Sequence, residues 1–155
     1  MDPGLTFNQN TYGSKAEEDY SNAQAVYSAR VGTPRAAIFW CEQAIEKYFK
    51  HLLTLRDKTL GIDRRHKLLP LAKDCGYSIT GLERSMLLEL GRIYYERYPV
   101  PEGEEVPEDP TWDDVKSAIG LVKGIRSWVL TQCSNDIEQT QAGLRSMKDF
   151  LKGSN

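Results

Sequence analysis

The chain has 155 residues, 40% of them hydrophobic and 27% charged, with 20 basic and 22 acidic side chains and a formal net charge of −2. That length suits one domain with a real core and makes a second unexpected. A balance so close to neutral excludes a global field that would draw in nucleic acid, so any such binding must come from a local patch.

In chain order, residues 1–14 are rich in Gly, Asn and Thr, with Leu5, Phe7 and Tyr12 as isolated apolar groups, and read as a flexible or loosely docked arm ahead of a single domain over 15–152. From Lys15 to about Val31, Ala16, Tyr20, Ala23 and Tyr27 recur at helical spacing, with Glu17, Glu18 and Asp19 in the first turn and Ser14 with Glu17 at capping-box spacing. Gly32 ends this first helix. The strongest helix follows over 33–55, with Thr33 as N-cap and Pro34 at the first helical position. Its stripe of Ala37, Cys41, Ala44, Tyr48, Leu52 and Leu55, flanked by Ile38, Ile45 and Phe49, faces a core, while Glu42, Gln43, Glu46, Lys47 and Lys50 fall mostly on the other side. Phe39 and Trp40 make its first half apolar nearly all round, which places it at the centre of a bundle.

A charged connection, RDKTLGIDRRHK, leads to a short third helix carrying Leu68, Leu69, Leu71 and Ala72 and stopped at Gly76, with Pro70 tolerated only near its start. A fourth helix begins near Thr80, which has capping-box spacing to Glu83, and runs through Leu82, Met86, Leu87, Leu90, Ile93 and Tyr94 to about Tyr98 before Pro99. The proline-rich acidic segment 99–110 has neither helical nor strand period and reads as a solvated loop. Asp109 or Thr111 then caps a fifth helix bearing Trp112, Val115, Ala118, Ile119, Val122, Ile125, Trp128 and Val129. The run Ser134, Asn135, Asp136 could restart a helix, so one long helix and two are both open over 112–151. No strand alternation and no repeat intervenes. The fold class is all-α, an antiparallel bundle of about five helices.

Cys41, Cys75 and Cys133 are odd in number and far apart, with no CxxC and no His at metal-ligand spacing, so they read as reduced core thiols. No secretory leader or long uncharged apolar run appears, and the expectation is a soluble, cytoplasmic protein with no metal or cofactor. Only His51 and His66 could serve as imidazole bases. His51 reads as a side chain at the edge of the core or paired with a carboxylate. His66, flanked by Arg64, Arg65 and Lys67 with Arg56 and Lys58 shortly before, belongs to a basic run that either holds phosphate or is a solvated loop entering the third helix. Around Arg92, Tyr94, Tyr95, Arg97 and Tyr98, arginine forks and aromatic faces supply what a nucleotide needs, phosphate contact and stacking. The alternative there is that Tyr94 and Tyr98 pack in the core while Arg92 pairs with Glu89 or Glu96. Adjacent acids such as Asp113 and Asp114 point apart and suggest no acid/base pair, and no glycine-rich phosphate loop is present.

The AxxxCEQAIEKYFKHLL helix, the basic turn entering HKLLPLA, the helix ending YYERYP, the proline-rich loop and the WDDVKSAI helix together resemble the HEPN domain family (higher eukaryotes and prokaryotes nucleotide-binding domain) over about residues 16–130. The residues that carry the resemblance are Glu42, Ala44, Glu46 and Lys47, then His66 and Leu68, then Arg97, Tyr98 and Pro99. It implies a helical bundle, commonly a homodimer, that binds a nucleotide or RNA, often beside a small nucleotidyltransferase partner. Many members are ribonucleases using an Arg followed after four to six residues by His. Here those positions are Ala44, Ile45 and Glu46 ahead of His51, and Thr59, Leu60 and Gly61 ahead of His66, so the motif is absent. The expectation is therefore a non-catalytic module with no catalytic residue, contacting phosphate through Arg64, Arg65, His66, Arg97 and Lys47 and stacking on Tyr98. An atypical ribonuclease built across a dimer from His66 and Arg97 is the first alternative. The second is an interaction protein docking through Leu144, Met147 and Phe150.

Overall fold

The computed structural model describes residues 7–95, 99–106 and 108–153. Among the described residues the chain forms five α-helices, α1 (Tyr12–Ala29), α2 (Pro34–Leu55), α3 (Leu68–Cys75), α4 (Gly81–Tyr95) and α5 (Trp112–Lys152), with a 3-10 turn at Ile62–Arg64. Cross-links between side chains give their directions. The start of α1 meets the end of α2 where the Gly13 N–H donates to His51, and the end of α1 meets the start of α5 where Arg30 lies over the Tyr27 and Trp112 rings. Arg35 at the start of α2 pairs with Asp109 just before α5, and Arg56 at its end pairs with Asp136 within α5, so these two helices run parallel. The long helices thus alternate up and down, α2 lies between α1 and α5, and α3 packs as a short cap.

Local chemistry accounts for most of the ends. Thr33 caps α2 ahead of Pro34, Thr80 and Glu83 exchange the two bonds of a capping box, and Thr111, not Asp109, caps α5 with Asp114. Gly76 stops α3 in the left-handed region at φ 76°, where its N–H turns back to the last carbonyls of the helix. One start differs from expectation. Helix α1 begins at Tyr12, capped by Thr11 in a box with Ser14, so Glu17, Glu18 and Asp19 sit beyond the first turn; Glu17 and Asp19 act through partners on other helices, and Glu18 pairs with Lys15. The Phe7 ring lies against Tyr48 and His51 and so close to Gly13 that a Cβ there would overlap it.

Two further expectations are corrected. First, Glu42, Glu46 and Lys50 are buried within the bundle and not on a solvated face of α2. The reason is that α2 is covered on nearly every side, so its polar stripe must find partners inside the protein. Second, the apolar stripe of α2 ends at Leu53, since Leu55 is 47% exposed, and Leu82 of α4 also faces solvent. The open question over 112–151 is answered by one continuous helix. The Asp136 carboxylate that could have capped a second helix is instead held by Arg56, which also donates to the Cys75 carbonyl. Cys41 and Cys75 are buried, which pushes each thiol up to about 12, and Cys133 is pushed up to about 11. All three are free. No helix among the described residues is long and apolar enough to cross a membrane.

Candidate functional site

The basic connection after α2 is folded onto the bundle by Ile62, whose buried side chain anchors the 3-10 turn and leaves Arg64 exposed at its end. Arg64, Arg65, His66, Lys67 and Pro70 then line one shallow depression of about 270 Å³. Within it Arg65 is paired with Asp74 of α3. His66 turns its Nδ1 toward Glu46, 3.2 Å and 3.3 Å from the two carboxylate oxygens, so one wall of the depression is tied to the central helix.

Behind His66 lies a network that sequence reasoning missed. Glu46 accepts a 2.7 Å bond from the Lys50 ammonium, and the two side chains are only 5% and 4% exposed. The Lys50 ammonium sits 5.8 Å from the Tyr12 ring centroid, at the outer reach of a cation–π contact, and the Tyr12 hydroxyl donates to Asp63 in the 3-10 turn. Burial, then the bond to Asp63 and its charge, push the Tyr12 phenol up to about 12, so it stays protonated and keeps donating. The sequence signal was available: Glu42, Glu46 and Lys50 recur one turn apart on a helix whose other faces are apolar.

The other expected residues are dispersed. Lys47 points to α1, where it pairs with Asp19, and does not line the depression. Burial raises the Asp19 carboxyl while Lys47 pulls it back down. Arg97 and Tyr98, and the expected packing of Tyr98 and of the Tyr94 side chain, lie outside the described residues. Arg92 pairs with Glu89, one of its two expected partners. It lines a larger cleft of about 490 Å³ between α2, α4 and α5 that also carries Glu108, Asp109 and Asp114, an acidic lining unsuited to phosphate. Among the described residues no cluster of three or more His, Cys, Asp or Glu side chains could hold a metal ion.

His51 is an edge-of-core residue: its Nδ1 accepts the Gly13 N–H at 3.1 Å and Phe7 meets its ring edge-on at 4.9 Å. Burial lowers its pKa below the ordinary value of 6.5. The unfolded chain therefore binds the extra proton first, and the stability that neutral His51 contributes is complete above about pH 6.5 and lost as pH falls below it. In urea titrations between about pH 7.5 and pH 5.5 the parent should lose more stability on acidification than His51→Gln, whose amide oxygen can still accept the Gly13 N–H. Equal slopes for the two would show that His51 does not titrate with folding.

These features define a helical-bundle protein with a basic turn braced against a buried ion pair. Compared with known protein families, the chain matches the HEPN domain over residues 11–133. The chain belongs to the HEPN domain family. No curated protein and no solved structure matches it.

Proposed function

We propose that the chain is a non-catalytic HEPN module that binds the phosphate of a nucleotide or of RNA at the turn between α2 and α3, working with a nucleotidyltransferase partner. The observation that carries this reading is the gathering of Arg64, Arg65, His66 and Lys67 around one depression. Such a constellation offers guanidinium forks and an imidazole to a single anion. In this reading Arg97 adds a further phosphate contact and Tyr98 a stacking face, and Lys47 supports the site by fixing α1 through Asp19. The absence of the Arg and His ribonuclease spacing supports binding without cleavage, because cutting RNA without a metal needs a base and a cation held at the same phosphate.

The test is thermal unfolding with a panel of nucleotides and a short unstructured RNA, at low and high salt. A ligand at about a hundred times its Kd adds about 2.7 kcal/mol to stability and raises the midpoint. That rise should fade with salt and fall at least tenfold in affinity for the Arg64→Ala/Arg65→Ala double variant, with the salt slope for RNA reduced by about one per arginine removed. Unchanged affinity would mean the site is elsewhere. RNA should survive incubation with the parent; cleavage that is lost in His66→Ala would overturn the non-catalytic part.

A further inference from the structure

The depression that gathers Arg64, Arg65, His66 and Lys67 does not stand alone. Pro70, which lines it, also lines a larger groove of about 720 Å³ between α3 and α4, where Leu69, Lys73, Asp74, Tyr77, Ile79 and Arg84 form most of the wall. The two hollows are joined a second time by the Arg65–Asp74 pair, since Arg65 belongs to the depression and Asp74 to the groove. Among the described residues Asp74 is the only acid lining either hollow, and Arg65 holds its carboxylate.

The groove combines cations with an apolar floor. Lys73 near the end of α3 and Arg84 near the start of α4 are exposed, and among the described residues neither is in an ion pair, nor are Arg64 and Lys67 in the depression. Four cations without partners repel one another, which a chain of anions would relieve. Leu69, Tyr77 and Ile79 are half-buried, packed on the core while still lining the groove. Tyr77 is held in place: the Phe49 and Trp128 rings lie 5.8 Å and 5.0 Å from it, and its hydroxyl donates to Glu83 at 3.0 Å. A wall already fixed needs no ordering when a ligand arrives. The depression, by contrast, has no Phe, Tyr or Trp ring in its lining, so a phosphate placed there finds no aromatic face for its base.

We propose that the ligand of this surface is single-stranded RNA and not a free mononucleotide. One phosphate sits among Arg64, Arg65 and Lys67, the strand crosses Pro70, and the next phosphate meets Lys73 and Arg84 while its base lies on Leu69, Tyr77 and Ile79. The inference rests on the phosphate-binding reading of the depression and extends it to a strand and a path. Successive phosphates with flat apolar bases between them match the order cations, apolar floor, cations. A duplex keeps its bases stacked inside and offers that floor no base.

The experiment uses the full chain and a labelled oligouridylate of about six nucleotides, followed by fluorescence anisotropy, with UMP, an abasic strand and a duplex of the same length as competitors. Each competitor should bind at least tenfold more weakly than the oligouridylate. Lys73→Ala/Arg84→Ala should weaken the oligouridylate at least tenfold, lower its salt slope by about one per cation removed, and leave UMP within about twofold. Both side chains are exposed, so the melting midpoint should stay within a few degrees of the parent. If Arg64→Ala/Arg65→Ala weakens UMP and oligouridylate alike while Lys73→Ala/Arg84→Ala alters neither, the phosphate site stands and the strand path is overturned. An abasic strand or a duplex that binds as tightly as the oligouridylate also overturns it. A parent that binds neither UMP nor oligouridylate removes the reading of the depression itself, and this inference with it.

Discussion

Replacing Lys50 by methionine lowers the folding stability by about 3–5 kcal/mol, because it leaves the Glu46 carboxylate buried without its cation. The substitution conserves much of the volume and apolar character of the lysine stem, so the loss reports the charge and not a cavity. For a domain of this size the midpoint of thermal unfolding should fall on the order of 10 °C. The His66 imidazole beside Glu46 cannot replace Lys50 fully, since it is more exposed and its Nδ1 lies farther from the carboxylate, at 3.2 Å against 2.7 Å. The double variant Glu46→Leu/Lys50→Met should recover most of the loss, as replacing a buried ion pair by packed apolar groups is often neutral or better. Urea titration of parent, single and double variants measures both effects. A single variant within about 1 kcal/mol of the parent would mean that the carboxylate reaches water or takes up a proton at little cost. The double variant also separates structure from function: it removes the acid that holds His66, so phosphate binding at the depression should weaken even where stability has returned.

Phe49→Ala is the second large effect. Phe49 is fully buried in the middle of α2, its ring 5.8 Å from that of Tyr77, and its carbonyl accepts the Cys75 thiol at 3.4 Å. Removing a buried aromatic ring costs about 3–5 kcal/mol, with the exact value set by how far the cavity collapses. Helices α2, α3 and the Tyr77 turn all meet at this point, which limits collapse and puts the expectation in the upper half of that range. Leu55→Ala, on the stripe as the sequence draws it but half exposed in the fold, should change stability by no more than about 0.5 kcal/mol. The urea midpoint should shift for the first and hardly for the second at equal slope. Similar losses for the two would mean that the α2 core continues past Leu53.

The elements read from sequence and confirmed in the fold share one property: their signals are local. Thr33 with Pro34, Thr80 with Glu83, Gly76 after α3 and the 3.6-residue spacing of α2 each act within about one turn of helix, so neighbouring residues suffice to place them. The misplaced start of α1 illustrates the limit. Ser14 and Glu17 have the right spacing for a box, but Thr11 with Ser14 forms one, Phe7 packs over the new first turn, and Glu17 is drawn to Tyr48 at 2.6 Å and to Arg126 on α5. Likewise Asp136 had the look of a new N-cap until Arg56, remote in sequence, took its carboxylate.

The candidate site divides along the same line. The basic run through Arg64, Arg65 and His66 is consecutive and was visible in the sequence; its bracing by Glu46, Lys50, Tyr12 and Asp63 was not. The sequence by itself determined the helices, most of their caps and the family, because helical period and capping are settled by side chains within about four residues of each other. Only the tertiary structure decided that Glu42, Glu46 and Lys50 lie inside, that Lys47 belongs to Asp19, and that α5 continues past the bundle. The burial and pairing of a charge depend on the distance to groups far away along the chain, and that distance exists only once the helices have packed.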